Sequence, residues 1–315
     1  MFMFSKNERI LVTGSSGLVG SNLIRKLSKY NNNVFGIDSK NDLRIPENAF
    51  KLFSEFKPTI VFHLAAKVGG IHANYNFKAD FYSDNVLINT NVVNACVQNN
   101  VNYIFAMGTG CAYPKRLENQ ILFEKDFLDG IPEITNDAYA YAKRGLLVHL
   151  KALYESKILK YTYCLPANIY GPYDNFHPLN SHVVPGLIRR FIDCKNKNLN
   201  EIIIWGDGSA RRDFLYIDDC IDAMIKLAEL NFCGPVNVSS NKLTSIKELS
   251  EQICNATNFE GIIKYDKTKL SGQSQRIMDC SKMSELGWYP KINLPSGIKK
   301  TVSWFNENRL SFREK

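Results

Sequence analysis

The stretch TGSSGLVGSNLI (13–24) places three glycines between a short apolar run and a helical pattern. A backbone that turns tightly, approaches a pyrophosphate and directs helix N–H groups at it leaves no room for a Cβ. The order of strand, glycine loop and helix near the start of the chain predicts a dinucleotide-binding loop, the alternative being an ordinary glycine-rich turn. The predicted cofactor contacts in this loop are Gly14, Ser15, Ser16, Gly17, Leu18, Val19 and Gly20.

The first half of the chain alternates apolar runs with helical patterns. Strands are predicted at 8–14, 33–38, 59–66 and 103–109 and from 161, with helices at 21–30, 86–100 and 140–155. This rhythm predicts an α/β fold with a Rossmann-like doubly wound parallel sheet. After residue 171 the rhythm breaks, with a helix at 186–195, a strand at 201–208, an amphipathic helix at 245–257 and a strand at 235–240 that we expect to rejoin the main sheet.

This break predicts two domains. We expect a dinucleotide-binding domain from 1–170 plus roughly 206–240, and a smaller, discontinuous C-terminal domain from 171–205 and 241–315, which would bind the substrate.

The composition is that of a soluble globular chain, with 315 residues, 45% of them hydrophobic, and a formal net charge of +8. Lys and Arg are spread along the chain, so we expect no nucleic-acid partner. No apolar run reaches the roughly 18–20 residues that span a bilayer, and no signal-peptide pattern is present, so we expect no membrane association and a cytoplasmic location.

The eight cysteines form no C-x-x-C pair, and no Cys and His cluster at zinc-ligand spacing, so no metal site is predicted. Seven of them are expected to be small buried hydrophobes. The exception is Cys111 in MGTGCAYP (107–114), which follows a predicted strand two residues after Thr109.

Asp38 ends the second predicted strand. A carboxylate there accepts hydrogen bonds from the adenosine ribose 2′-OH and repels a 2′-phosphate, which favours NAD(H). Ser39 and Lys40 follow directly and could instead hold a phosphate, so NADP(H) stays open.

The stretch NDAYAYAKRG (136–145) places Tyr139 and Lys143 four residues apart on one helix face. An ammonium beside a phenol lowers the phenol pKa, which makes Tyr139 a candidate acid for an alkoxide formed by hydride delivery. Tyr141 competes for this role, but we expect it to point elsewhere because Lys143 is only two residues away. Thr109 would orient the substrate carbonyl from the end of the fourth strand.

Longer motifs extend the pattern over nearly the whole chain. They are AAKVGGIHAN (65–74), GCAYPK (110–115), NIYGPYDNFHPLNSHVVPGLIRRF (168–191), WGDGSARRDFLYIDD (205–219) and LGWYP (286–290). Together with the glycine loop and Y-x-x-x-K, they resemble the GDP-L-fucose synthase family of the extended short-chain dehydrogenase/reductase superfamily. The resemblance implies a GDP-4-keto-6-deoxy-D-mannose 3,5-epimerase-4-reductase that serves surface-glycan synthesis, takes a GDP-linked 4-keto sugar and NADP(H), and forms a homodimer.

The resemblance also implies roles for individual residues. Tyr139 would be the reductive acid, Lys143 would bind ribose and tune Tyr139, and Thr109 stands where relatives usually have Ser. Cys111 and His182 would be the epimerisation pair. Further implied cofactor contacts are Ala65, Ala66, Met107, Gly108, Pro166, Asn168 and Ile169, and implied substrate contacts are Asn180, Arg190, Trp205, Arg212 and Arg276.

Departures from the family pattern keep alternatives open. Gly110 stands where relatives commonly have Ser, and the Ser15-Ser16 pair lacks the Arg that some relatives use near a 2′-phosphate. The alternatives are a reductase-only enzyme acting on a GDP-4-keto-heptose or related sugar, a nucleotide-sugar 4-epimerase, and a non-catalytic dinucleotide sensor. The sequence Thr-Gly-Cys (109–111), in place of Thr-Asp-Glu, counts against a dehydratase.

Overall fold

The computed structural model describes residues 4, 7–31, 33–115, 121–178, 180–268 and 277–309. Its strands are β1 (Ile10–Thr13), β2 (Val34–Ile37), β3 (Ile60–His63), β4 (Tyr103–Met107), β5 (Ile121–Leu122), β6 (Lys160–Pro166), β7 (Asn168–Tyr170), β8 (Glu201–Trp205), β9 (Arg211–Tyr216), β10 (Gly234–Val238), β11 (Leu243–Ser245), β12 (Ile262–Asp266) and β13 (Ile277–Met278). Its helices are α1 (Leu18–Leu27), α2 (Pro46–Phe56), α3 (Ile71–Asn76), α4 (Lys78–Gln98), α5 (Asp137–Glu155), α6 (Val183–Asn196), α7 (Ile217–Glu229), α8 (Ile246–Thr257), α9 (Ser281–Glu285) and α10 (Leu294–Asn308), with 3₁₀ turns at Gly110–Ala112 and Glu124–Asp126.

Within the described residues, six strands form the central sheet in the order β10-β6-β4-β3-β1-β2, and every neighbouring pair is parallel. From β1 the chain adds β2 on one side, and from β3 it adds β4, β6 and β10 on the other side. The strand order therefore reverses between β1 and β3, as in a doubly wound sheet. The predicted fold class is therefore confirmed, and so is the return of the 235–240 segment to the main sheet, where β10 pairs with β6.

Both faces of this sheet are covered by helices. Ile10 and Val12 of β1 face a core shared with α1 and α7, whereas Leu11 faces a core shared with α2, α4 and α5. This alternation follows from the two-residue period of a strand. A strand that is buried on both faces needs a continuous apolar run. The sequences of β1, β3 and β4 are nearly continuous apolar runs for this reason.

Smaller sheets lie outside the central one. β9 pairs antiparallel with β11 and parallel with β7, β8 pairs in parallel with β12, and β5 pairs with β13. α6, α8 and α10 contribute buried residues to the core that includes β8 and β9.

Helix α4 begins at Lys78, eight residues before the predicted start at 86. Its buried face carries Asn85, Asn89 and Asn91, whose side chains bond to other segments, so the apolar spacing that marks a helix is interrupted. The helices α2, α3, α7, α9 and α10 were not predicted. α2 carries a Pro in its first turn, and Asn293 caps α10, and both are recognisable helix-start signals.

Candidate active site

The glycine loop has the geometry of a phosphate cradle. Gly14 has φ of 69°, in the left-handed region, and a Cβ on Gly20 would lie 2.2 Å from the Gly14 carbonyl oxygen. Helix α1 follows, with Gly17 as its N-cap, no side-chain cap and no acidic residue in the first turn. The N–H groups of that turn therefore lack a side-chain partner at the cap and suit an anion, so the residues present fit a dinucleotide pyrophosphate.

The loop after β2 carries the residues expected to meet the adenosine ribose. Asp38 follows Ile37 and accepts a hydrogen bond from the Lys40 backbone N–H at 3.0 Å, while the Ser39 and Lys40 side chains are exposed. Arg44, further along, is paired with the carboxylates of Asp42 and Asp84. Asp38 and Lys40 thus lie side by side, and this loop has a group for either a ribose hydroxyl or a 2′-phosphate.

The carboxyl ends of the parallel strands bring the other predicted cofactor residues to the same edge. Ala65 and Ala66 follow β3, Met107 ends β4 and Gly108 follows it, Pro166 ends β6, and Asn168 and Ile169 lie on β7, which follows β6. Thr13 at the end of β1 ties two of these strands together, because its Oγ1 accepts hydrogen bonds from the N–H groups of Leu64 and Ala65, both at 3.1 Å.

Helix α5 presents Tyr139 and Lys143 on one face, as the spacing predicted. The Lys143 Nζ lies 5.9 Å from the centroid of the Tyr139 ring and donates a hydrogen bond to the Met107 carbonyl oxygen at 2.8 Å. Lys143 is 2% exposed, and burial lowers its pKa to about 8. Tyr141 points outward and is 45% exposed, so it is not the partner of Lys143.

The pKa of Tyr139 is raised above its ordinary value, opposite to the direction expected from the sequence. Burial is the main cause, since the ring packs edge-on against Phe81, and the Cys111 thiol adds to it when ionised. The Lys143 ammonium donates its hydrogen bond to the Met107 carbonyl, and the effect of burial on the Tyr139 pKa exceeds any attraction between this ammonium and a phenolate. Tyr139 is consequently a protonated phenol at neutral pH, which suits a proton donor.

Cys111 lies in the 3₁₀ turn that follows β4, next to α5. Its side chain is exposed, whereas the other seven cysteines are buried or partly buried and all eight are free thiols. The Cys111 N–H donates to the Thr109 Oγ1 at 3.2 Å. A hydroxyl that accepts in this way still has its own hydrogen to donate, so Thr109 can also bond to a ketone oxygen.

His182 immediately precedes α6. Its imidazole is exposed, but the surrounding chain removes part of its hydration and lowers its pKa. The neighbouring Ser181 carbonyl lies against Gly70, since a Cβ there would meet it at 3.4 Å. A Cβ on the adjacent Gly69 would touch Phe81, the ring that packs on Tyr139, so the 65–70 loop connects the His182 segment to Tyr139.

The predicted substrate residues fall on several elements. Arg190 on α6 donates to the Ile203 carbonyl of β8, the strand that ends at Trp205, whose side chain is 67% exposed. Arg212 lies on β9, and the exposed Asn180 lies in the loop before α6. Arg276 lies outside the described residues.

The sequence reasoning missed a buried chain of hydrogen bonds beside this site. The His63 Nδ1 is 2.9 Å from the Thr13 Oγ1, and its Nε2 is 3.0 Å from the Asn89 Oδ1. The Asn89 amide in turn donates to the Ala142 carbonyl of α5 at 3.3 Å. Burial lowers the His63 pKa to about 3, so the ring stays neutral and links the phosphate-loop strand to the helix of Tyr139.

The described residues contain no group of three or more His, Cys, Asp or Glu side chains that could hold a metal ion. Within the same residues, no helix is long and apolar enough to cross a membrane.

Residues 10–238 match the model of the NAD dependent epimerase/dehydratase family, and the chain belongs to that family. The relatives place it within the GDP-L-fucose synthase group, which confirms the resemblance read from the motifs. The chain is 40% identical over 311 residues to a putative GDP-L-fucose synthase 2 of Arabidopsis thaliana, covering 98% of this chain and 94% of the relative. It is 33% identical to the GDP-L-fucose synthase of Escherichia coli K12, covering 97% and 99%.

Solved structures agree with this assignment. A GDP-L-fucose synthetase from Naegleria fowleri bound to NADP superposes with a TM-score of 0.87 at 31% identity, covering 99% of this chain and 96% of that one. A GDP-6-OMe-4-keto-L-xylo-heptose reductase from C. jejuni gives a TM-score of 0.89 at 26% identity, covering 97% and 99%.

Proposed function

We propose that the protein inverts C3 and C5 of a GDP-linked 4-keto-6-deoxy sugar and reduces its C4 ketone with NADPH. The supporting observation is the exposed Cys111 thiol beside the Tyr139 and Lys143 pair. These residues lie at the carboxyl edge of the central sheet, the edge that also carries the glycine loop. The named relatives and the NADP-bound structure support the same activity. The product would serve nucleotide-sugar biosynthesis for surface glycans.

The inversion steps need a base, an acid and a stabilised enolate. A proton on a carbon next to a ketone is acidic because the resulting enolate carries its charge on oxygen. Cys111 and His182 would remove and return protons on opposite faces of the sugar, which inverts the carbon. Thr109 and Tyr139 would donate hydrogen bonds to the C4 oxygen and stabilise the enolate.

The reduction uses the same oxygen contacts. When bound, NADPH supplies the hydride that adds to C4, and Gly14, Gly17 and Gly20 would hold its pyrophosphate. Tyr139 donates its phenolic proton to the C4 oxygen, which completes the alcohol. Its raised pKa keeps that proton in place until the oxygen becomes strongly basic. Lys143 would hold the nicotinamide ribose with donors beyond the one given to Met107.

The choice of NADPH rests on the NADP-bound relative and on the exposed Ser39 and Lys40. Asp38 beside them disfavours a 2′-phosphate, so some activity with NADH is expected.

The test follows NADPH or NADH oxidation with GDP-4-keto-6-deoxy-D-mannose. Tyr139→Phe removes the proton donor and should abolish the reduction, whereas Tyr141→Phe is the matched control on the exposed face and should retain it. Absence of oxidation by the wild-type protein with this substrate and with several GDP-keto-heptoses would contradict the proposal.

A second candidate is a reductase that acts on a GDP-4-keto-heptose without inverting C3 or C5. The heptose reductase from C. jejuni superposes as well as the fucose synthetase, which favours this candidate on fold alone. The higher sequence identity to named GDP-L-fucose synthases favours the bifunctional enzyme. Faster NADPH oxidation with a heptose substrate would select the second candidate.

We also propose a homodimer formed through α4 and α5. The helices α4 and α5 pack against each other and expose large apolar side chains, of which Tyr82, Leu87, Tyr141 and Val148 are each 45–52% exposed. Exposed apolar surface of this kind would suit a contact with a second copy of the chain. The free thiols suit a reducing cytoplasm.

The predicted division into residues 1–170 plus roughly 206–240, and 171–205 plus 241–315, would place the GDP-sugar between the two parts.

A further inference from the structure

Asn136 occupies the N-cap of α5 but does not cap the helix. An N-cap Asn ordinarily accepts a hydrogen bond from a backbone N–H of the first turn through its side-chain oxygen. Here the side chain makes no cap bond, and the Ala138 N–H is taken by the Asp137 carboxylate at 2.8 Å. The Asn136 Nδ2 instead donates to the Cys111 carbonyl oxygen at 3.2 Å.

Arg144, two turns further along α5, holds the next residue of the same turn. Its Nε donates to the Ala112 carbonyl at 2.8 Å and its Nη1 to the Gly130 carbonyl at 2.7 Å. The side chain is 6% exposed, and its Nη2 has no hydrogen-bond partner within the described part of the chain. The buried guanidinium holds two backbone carbonyls in place, and its unpaired donor carries a cost in stability.

The turn is held from its other side as well. The Thr109 Oγ1 accepts from the Cys111 N–H, and the Tyr113 hydroxyl donates to the Asn237 side chain at 2.7 Å. The backbone from 109 to 113 is therefore fixed on both sides of Cys111, while the Cys111 side chain itself is exposed.

We propose that Asn136 and Arg144 are positioning residues that fix the Cys111 thiol for proton exchange at the carbons beside the ketone. The inference rests on the proposed function and adds to it. Tyr139 and Lys143 lie between these two residues in the sequence of α5. One rigid helix therefore fixes the position of the Cys111 thiol relative to the phenol of Tyr139. A misplacement of about 1 Å is enough to slow such a step by about a hundredfold.

The test separates the two half-reactions. Proton exchange is measured as deuterium uptake by the keto sugar in heavy water with NADP⁺, where no hydride can be delivered. Hydride transfer is measured as NADPH oxidation with a 4-keto sugar whose C3 and C5 are already inverted. Asn136→Ser retains a residue that can cap the helix but is too short to reach Cys111, so it removes only the contact to the turn.

Asn136→Ser should lower the exchange rate by about tenfold and change hydride transfer by less than about twofold. Arg144→Lys, which keeps the charge but not the forked donors, should act in the same direction. Asn293→Ala is the matched control, because it removes a working N-cap from the distant helix α10 and should leave both rates unchanged.

Equal losses in both half-reactions of Asn136→Ser, or no loss in either, would overturn the proposal. A wild-type protein that oxidises NADPH with the inverted sugar but shows no exchange would overturn it too, and would leave the reductase assignment in place. A wild-type protein inactive in both assays would instead contradict the proposed function itself.

Discussion

Replacing Lys143 by Met should change the pH dependence of stability in a calculable way. The wild-type ammonium is buried, and its pKa falls from 10.5 to about 8. This difference corresponds to a cost of about 3 kcal/mol for holding the charged form inside the fold, since one pKa unit is about 1.36 kcal/mol. Met keeps an unbranched apolar chain but carries no charge, so the variant is free of this cost.

The sign follows from the protons bound in each state. Between pH about 8 and 10.5 the folded wild-type protein has a neutral Lys143, whereas the unfolded chain keeps the proton. The unfolded state therefore binds more protons, and wild-type stability rises with pH relative to the variant by about 1.4 kcal/mol per unit. Below pH 8 both states are protonated, and the difference between the two proteins is constant.

The assay is urea unfolding of both proteins at steps from about pH 7 to 10.5, followed by circular dichroism. Groups common to both proteins cancel in the comparison. Below pH 8 the hydrogen bond lost from Met107 offsets part of the variant's advantage, by about 1.5–3 kcal/mol. A difference in unfolding free energy that stays flat across the window would show that the Lys143 pKa is not depressed.

Three further predictions follow from the same geometry. Gly20→Ala should weaken NADPH binding by more than about tenfold, because its Cβ would lie 2.2 Å from a backbone oxygen. Gly145→Ala is the control, because its Cβ would have nothing within 4 Å and binding should be unchanged. Equal NADPH affinities of the two variants in a binding titration would refute the phosphate cradle. The kcat/KM for reduction should fall above pH about 8 as Lys143 loses its charge, and Lys143→Arg should move this fall to higher pH. A fall at the same pH in the variant would show that another group causes it. Cys111→Ser should slow deuterium exchange without weakening GDP-sugar binding in calorimetry, whereas Tyr139→Phe should abolish hydride transfer; loss of binding in the Cys variant would indicate a packing role.

The fold could be predicted from the sequence because its signals are local. Strand β1, the glycine loop and helix α1 occupy consecutive residues, and a two-sided apolar strand followed by a tight turn has few other solutions. The start of α4 could not be placed, since its buried asparagines serve partners far away in the chain.

In the candidate site, too, the features set by local sequence were predictable and those set by tertiary contacts were not. The facing of Tyr139 and Lys143 depends only on helical spacing and was predicted correctly. The predicted direction of the Tyr139 pKa was wrong, because this pKa depends mainly on burial and then on the nearby Cys111, which are tertiary properties. Asn136 is the N-cap residue of α5 in the structure, and Asn is a common residue at that position. Its actual contact to Cys111 depends on a backbone that returns to α5 from 25 residues away.

The central claim is that one site performs both proton exchange and reduction. Its most direct test is the mass of the GDP-sugar formed from GDP-4-keto-6-deoxy-D-mannose and NADPH in heavy water. We expect one deuterium on C3 and one on C5 of the reduced product. A reduced product without deuterium on these carbons would contradict the account.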